Sequence, residues 1–256
     1  MAFSMNRAGA QAMRSGARLA DWIWPSRSII SGQTGLGDGP VPPADWASLS
    51  FIDAPLCTRC GRPMEYDLGE AAPCGACAAK PPPWARGRAA LVYDDTSRRP
   101  ILELKRAGRR EGLGTMAAWM ARAGAPLLSE ADLIVPVPLH YTRLVSRGHN
   151  QSGWLAAAVS RVSEVPACQD ALRRRKRTPS QAGLNARARQ RNVAGAFDVR
   201  PSRLARIKDR RIVLVDDVLT TGATLKACAR ALDKAGALNV DVLVLARVVR
   251  ETDVTI

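Results

Sequence analysis

The sequence predicts an α/β fold, a mainly parallel sheet with helices on both faces, preceded by a small cysteine-bearing module. Three observations carry that reading. From about Ala89 onward, short continuous apolar runs alternate with segments of helical period. One of those runs leads through two acidic residues and a Thr/Gly turn into a helix. Upstream of the sheet, four cysteines stand as two Cys-x-x-Cys pairs. A chain of 256 residues with 46% apolar and 24% charged residues has ordinary globular composition, which excludes wholesale disorder.

Taken in order, residues 1–50 read as a basic start and a linker. Met1 to Ala20 contains Arg7, Arg14 and Arg18 and no acidic residue, a composition shared by organellar transit peptides and amphipathic helices. Ala8, Ala12, Leu19, Trp22 and Ile23 fall on or near one face at helical spacing, which favours the helix, docked on the protein or on a membrane surface. A secretory signal is disfavoured because Asp21 interrupts an already short apolar stretch. Ser31 to Pro43 is rich in Gly and Pro and reads as a connector. No run approaches the ~18 apolar residues that span a bilayer, so no membrane span is expected.

Residues 51–85 hold the cysteine pairs and end in Lys80-Pro-Pro-Pro83, a stiff stop. Cys57 and Cys60 are separated from Cys74 and Cys77 by thirteen residues. Zinc takes four thiolates in a tetrahedron, and each Cys-x-x-Cys knuckle supplies two of them on one tight turn, helped here by Gly61 and Gly75. With all four positions filled by protein, such a site is structural. A metal cluster in place of disulfides also points to the cytoplasm. Cys168 and Cys228 read as small apolar core residues, Cys228 on a helix with Leu225, Ala229 and Leu232.

Residues 86–256 form the α/β domain. Its expected strands are Ala89–Tyr93, Leu133–Val137, Arg211–Val215 and Val240–Arg247. Its expected helices are Arg99–Arg106, Thr115–Ala123, Gln151–Ser163 and Ala223–Ala235. The chemistry concentrates at Asp216-Asp217-Val-Leu-Thr220-Thr221-Gly222-Ala223-Thr224. An apolar strand there delivers two carboxylates at its end, and a hydroxyl-rich turn then opens a helix. Backbone N–H groups at a helix N-terminus suit a phosphate, and Gly222 lets the backbone come close. The two carboxylates can accept from sugar hydroxyls or help place a divalent cation. No Gly-Lys-Ser/Thr is present, so this is not a Walker loop.

The formal charge of +15 favours phosphate-rich partners. It gathers at the N-terminus, in Arg86–Arg110 and in Arg173–Arg211. The run Arg173-Arg-Arg-Lys-Arg177, followed by Arg187, Arg189 and Arg191, reads as a solvated face, a loop closing over pyrophosphate, or a nucleic-acid track. Aromatics at 5% leave little room for binding by base stacking alone. His140 and His149 are too few and too isolated for metal ligation and read as hydrogen-bonding or packing residues.

These residues carry a family resemblance. Val215–Leu225 resembles the ribose-phosphate loop of type I phosphoribosyltransferases. Val135-Pro-Val-Pro138-Leu-His140, Arg143, Arg147-Gly-His-Asn150-Gln151, Arg177-Thr-x-x-Gln181 and Arg191-Asn-Val193 are similar to motifs of the ComF competence-protein family, as are the cysteine pairs, Tyr93 and Leu104-Lys105. The match spans roughly residues 51–247. It implies a type I phosphoribosyltransferase-like sheet behind a zinc-ribbon-like module, a phosphoribosyl pyrophosphate ligand with Mg²⁺, and a role in DNA uptake during natural transformation. Asp216 and Asp217 would then be the catalytic pair facing the ribose hydroxyls, and Thr220, Thr221, Gly222, Ala223 and Thr224 would cradle the 5′-phosphate. Arg143, Arg147, Arg177 and Gln181 would contact pyrophosphate or nucleic acid. Single-stranded DNA and the DNA-uptake machinery are the implied partners. An active transferase of nucleotide salvage and a non-catalytic single-strand binder on the same fold stay open as alternatives.

Two departures from the family pattern stand out. His149 occupies a position usually held by Phe. Pro25-Ser-Arg-Ser28-Ile-Ile-Ser31-Gly32 resembles a further zinc knuckle with both cysteines replaced by serine, so only Cys57, Cys60, Cys74 and Cys77 are expected to hold metal.

Overall fold

The computed structural model describes residues 27–34, 41–66, 72–105, 110–139, 144–145, 148–175 and 195–249. The expected N-terminal helix lies outside them, as do residues 35–40 of the connector. The chain divides into two compact units, Met1–Leu49 and Ser50–Ile256.

In the first unit a short turn runs from Arg27 to Thr34, which form an antiparallel bridge. The Ser28 amide donates to the Gln33 carbonyl at 2.9 Å, and Gly32 takes a left-handed φ of 71° to close the turn. One helical turn, α1 (Pro43–Ala47), follows, with Pro43 at its start where a missing N–H costs nothing.

The second unit holds the remaining elements. In chain order they are α2 (Gly75–Ala79), β1 (Gly87–Val92), α3 (Asp95–Lys105), α4 (Leu113–Ala123), α5 (Ala125–Leu128), β2 (Leu133–Pro136), α6 (Gln151–Ser163), β3 (Leu172–Arg174), β4 (Phe197–Val199), a 3₁₀ turn (Pro201–Arg203), α7 (Leu204–Ile207), β5 (Arg211–Leu219), α8 (Ala223–Lys234) and β6 (Asn239–Arg247). Four strands form a parallel sheet in the order β1-β6-β5-β2. The centre belongs to β5 and β6, in register from Arg211 opposite Asn239 to Leu219 opposite Arg247.

Helices cover both faces, as a parallel sheet requires. Ala89, Val135, Ile212, Leu214, Val240, Val242 and Val244 alternate along their strands and share one apolar cluster with Leu225, Cys228, Ala229 and Leu232 of α8. On the other face, α6 packs on β2 and β5 while α4 packs on β1 and β6. Gly124, at the end of α4, sits so close to Leu243 that an added Cβ would lie 2.8 Å from its methyl groups. Cys168 and Cys228 are both buried, as expected of small core residues.

Three differences from the expected elements have physical reasons. α3 begins at Asp95, four residues early, because Asp94 and Ser97 cap each other: the Ser97 amide donates to Asp94 Oδ1 at 2.8 Å and the Asp94 amide to Ser97 Oγ at 3.0 Å. β5 runs on to Leu219, so Asp216 and Asp217 lie within the strand and not beyond its end. The antiparallel ribbon of β3 and β4 was not expected, since each strand has three residues and two of those in β3 are arginines.

Candidate functional site

At its carboxyl end β5 passes through Thr220 and Thr221 into Gly222, the N-cap of α8. Gly222 has φ 69°, which favours glycine, and its carbonyl accepts from the Lys226 amide at 2.7 Å. No side chain caps α8, and its first turn faces a cavity. That cavity has a volume of about 370 Å³ and is lined by Asp216, Asp217 and the whole of Thr220–Leu225. The turn after β2, Val137 to Leu139, forms another wall.

Distant elements complete the site. Ser152 Oγ, in the first turn of α6, donates to Asp216 Oδ1 at 2.7 Å, and the Asp217 amide donates to the same oxygen at 2.9 Å. Gln151 Nε2 donates to Asp217 Oδ2 at 3.3 Å, and Lys105 Nζ at the end of α3 lies 3.0 Å from that oxygen. Arg174 of β3 reaches the cavity with its guanidinium over the Phe197 ring, 5.3 Å from the centroid. Two carboxylates therefore share one pocket with two cations. Burial, reinforced by the neighbouring Asp217 charge, pushes the Asp216 carboxyl up to about 7.

Asp216, Asp217, Thr220, Thr221, Gly222, Ala223 and Thr224 thus all line the cavity. Arg143, Arg147, Arg177 and Gln181 lie outside the described residues. Within the basic run, Arg173 pairs with Asp198 at 2.8 Å and Arg175 approaches the same carboxylate at 3.5 Å, while Arg174 faces the cavity. Alternation along a β-strand, which sends successive side chains to opposite faces, explains that division. Ser152 carried no signal in the sequence, and Lys105 was visible only as part of a motif. His149 packs: it is buried, stacks on Trp154 at 3.9 Å, and its Nε2 lies 3.2 Å from the Leu104 carbonyl.

The four cysteines meet in a separate cluster. The sulfurs of Cys57, Cys60, Cys74 and Cys77 all lie within 4.8 Å of one another, and Cys60 and Cys74 are 3.9 Å apart. Four thiolates at zinc-bonding distance are about 3.8 Å apart, so the cluster fits a tetrahedral ion. The Cys74 amide donates to Cys57 Sγ at 3.1 Å, and the Gly61 amide closes the first knuckle onto the Cys57 carbonyl at 2.7 Å. Hydrogen bonds from the neighbouring Cys60 and Cys77 thiols hold Cys57 well below the ordinary thiol range. In the first unit, Ser28 and Ser31 direct both hydroxyls to Asp45 Oδ2, Ser31 at 2.7 Å. Neutral hydroxyls there satisfy a carboxylate, the inverse of thiolates gathering round a cation.

The fold and the cavity define a phosphoribosyltransferase-type domain with an N-terminal zinc-ribbon module. Residues 120–254 match the phosphoribosyl transferase domain family, and residues 19–78 match the double zinc ribbon domain. The second match takes in the serine turn as well as the cysteine cluster. DNA utilization protein YhgH of Escherichia coli K12 is 35% identical over 201 residues, covering 76% of this chain and 85% of its own. Competence protein F of Haemophilus influenzae is 32% identical over 206 residues, covering 75% and 85%. Competence protein ComFC of Bacillus subtilis is 25% identical over 213 residues, covering 78% and 81%. The chain belongs to the ComF family, the competence-protein branch of the phosphoribosyl transferase domain proteins. Among the described residues no helix is long and apolar enough to cross a membrane.

Proposed function

We propose that the protein binds phosphoribosyl pyrophosphate with Mg²⁺ in the cavity at the end of β5 and serves the handling of incoming single-stranded DNA on the cytoplasmic side. The observation that carries the ligand is the strand, Thr-Thr-Gly turn and uncapped helix facing two carboxylates. Amides and hydroxyls of Thr220–Thr224 would take the 5′-phosphate, and Asp216 and Asp217 would accept from the ribose hydroxyls. Among the described residues Lys105 and Arg174 are the cations lining the cavity that could meet a diphosphate, whose remaining charge Mg²⁺ would neutralise. Zinc in the cysteine cluster would be structural. The DNA role rests on the relatives named for DNA utilization and competence.

Calorimetric titration with phosphoribosyl pyrophosphate and Mg²⁺ tests the ligand. Heat is expected from the wild type and none from a double Asp216→Ala, Asp217→Ala variant. Absence of heat from the wild type, or unchanged binding by the variant, would remove the assignment. For the DNA partner, single-strand affinity should fall with salt at a slope of about 0.7 per phosphate contacted. A salt-independent affinity would count against it.

A further inference from the structure

One side chain touches both the Cys57–Cys60 knuckle and the phosphate loop. The indole Nε1 of Trp84 donates to the carbonyl of Arg59, inside the Cys57–Cys60 knuckle, at 2.6 Å. Arg59 returns the contact, its guanidinium reaching the carbonyls of Trp84 at 3.5 Å and Ala85 at 3.3 Å. At the other edge of the same ring, Trp84 Cη2 would lie 3.1 Å from a Cβ placed on Gly222. Trp84 is only 4% exposed, so the ring has no freedom to back away from either neighbour.

A second route runs beside the first. Arg247, at the end of β6 and also buried, donates through Nη1 to the carbonyl of Cys60. Its chain neighbour Val248 donates its amide to the Leu219 carbonyl at 2.9 Å, one residue before the phosphate turn. The knuckle itself is seated hard on the sheet: a Cβ on Gly61 would lie 2.8 Å from the Gly87 carbonyl oxygen. Of the three carbonyls that leave the knuckle, that of Thr58 is held by the Gly87 amide and Arg88, while those of Arg59 and Cys60 are fixed by Trp84 and Arg247, which also bear on the backbone on either side of Thr220 and Thr221.

We infer that Trp84 is a positioning residue that transmits the metal-bound geometry of the Cys57–Cys60 knuckle to Gly222, so that zinc occupancy sets how well the Thr220–Thr224 loop is formed. The Arg59 and Cys60 carbonyls hold their direction only while the turn between the two thiolates is closed on a metal. When it opens, the indole loses its acceptor, and the wall behind Gly222 loosens. The loop then presents its amides to a phosphate less often in the productive arrangement, which lowers affinity in proportion. This inference rests on the phosphate-loop reading for its consequence in ligand binding, but the coupling itself is readable without ligand.

The test uses the full chain in two metal states, zinc-loaded and stripped with a chelator. Amide hydrogen exchange is read at residues 220–226, with residues 240–246 of β6 as internal control. Stripping is expected to raise exchange at 220–226 by about five- to tenfold, the equivalent of one buried hydrogen bond, while β6 stays protected. Trp84→Phe keeps an aromatic ring but lacks the N–H and the far edge. Its zinc-loaded form should already exchange at 220–226 faster than the zinc-loaded wild type, and stripping should add less than it does in the wild type, the remainder passing through Arg247 and Val248. Unchanged exchange at 220–226 in zinc-loaded Trp84→Phe, or exchange raised equally in β6, overturns the inference, and that variant decides the matter even if the stripped protein unfolds. A parallel titration with phosphoribosyl pyrophosphate and Mg²⁺ should show the same five- to tenfold loss. Coupled exchange with no heat from loaded wild type would overturn the ligand reading and leave the coupling standing.

Discussion

Asp216 is asked to carry a charge where a charge is costly. Its carboxyl is pushed up to about 7 by burial and by Asp217, against an ordinary value of 3.8. A carboxyl raised on folding binds its proton more tightly in the native state. Its penalty is therefore absent below pH 3.8, grows as pH rises, and is complete above about 7. Asp216→Asn removes the charge and keeps an acceptor for Ser152. The variant should unfold at a higher denaturant concentration than wild type at pH 8, with the difference shrinking toward pH 5. Equal midpoints at pH 8 would show that the buried charge is already compensated. The same residue shows how far side-chain chemistry could be foreseen. Asp216, Asp217 and the Thr-Gly turn are contiguous, so spacing alone brings them together. Lys105, Ser152 and Arg174 come from α3, α6 and β3, and only the closed fold sets them around one cavity.

At the level of elements, the junction of β5 and α8 depends on one residue. Gly222 holds φ 69° with Trp84 and Leu219 against its open side, at 3.1 and 3.2 Å from where a Cβ would stand. Gly222→Ala should cost about 1–2 kcal/mol from backbone conformation alone and more from the crowding. A denaturant titration reads that cost, and a midpoint within error of wild type would contradict it. Long periodic elements were legible: α6 spans the expected Gln151–Ser163, and β6 differs from its expected range by one residue. Short or capped ones were not. The helix expected from Arg99 starts four residues earlier, at Asp95, ahead of Pro100, where the Asp94–Ser97 exchange fixes it. Asp241 sits in β6 as an apparent interruption, yet it is buried because Arg86 holds it through amide and guanidinium, at 2.9 and 2.7 Å.

For the whole molecule, the parallel sheet was foreseen from its apolar runs, and the metal module from its cysteine spacing. Stoichiometry is the sharpest check on the module. The cluster of Cys57, Cys60, Cys74 and Cys77 offers one ion a complete shell, whereas Ser28 and Ser31 are spent on Asp45. Elemental analysis should find one zinc per chain, falling toward zero in a Cys57→Ser, Cys60→Ser variant. Two zincs per chain would mean that the serine turn still binds metal. Removing the single ion should lower the melting temperature, since metal binding at such a site contributes to folding free energy.

The strand order has a consequence in time as well as in space. β6 pairs with β1 on one side and with β5 on the other, yet among the described strands it is synthesised last. A growing chain that has reached residue 238 already contains β1, but the strand that must flank it does not yet exist. Until then its apolar edge has no partner, a hazard for a slow-forming parallel sheet. The cysteine knuckle, by contrast, is complete by residue 77 and can take up its ion while most of the protein is still on the ribosome. Metal capture would come first, and the sheet would close only when β6 arrives with Arg247 to meet the knuckle.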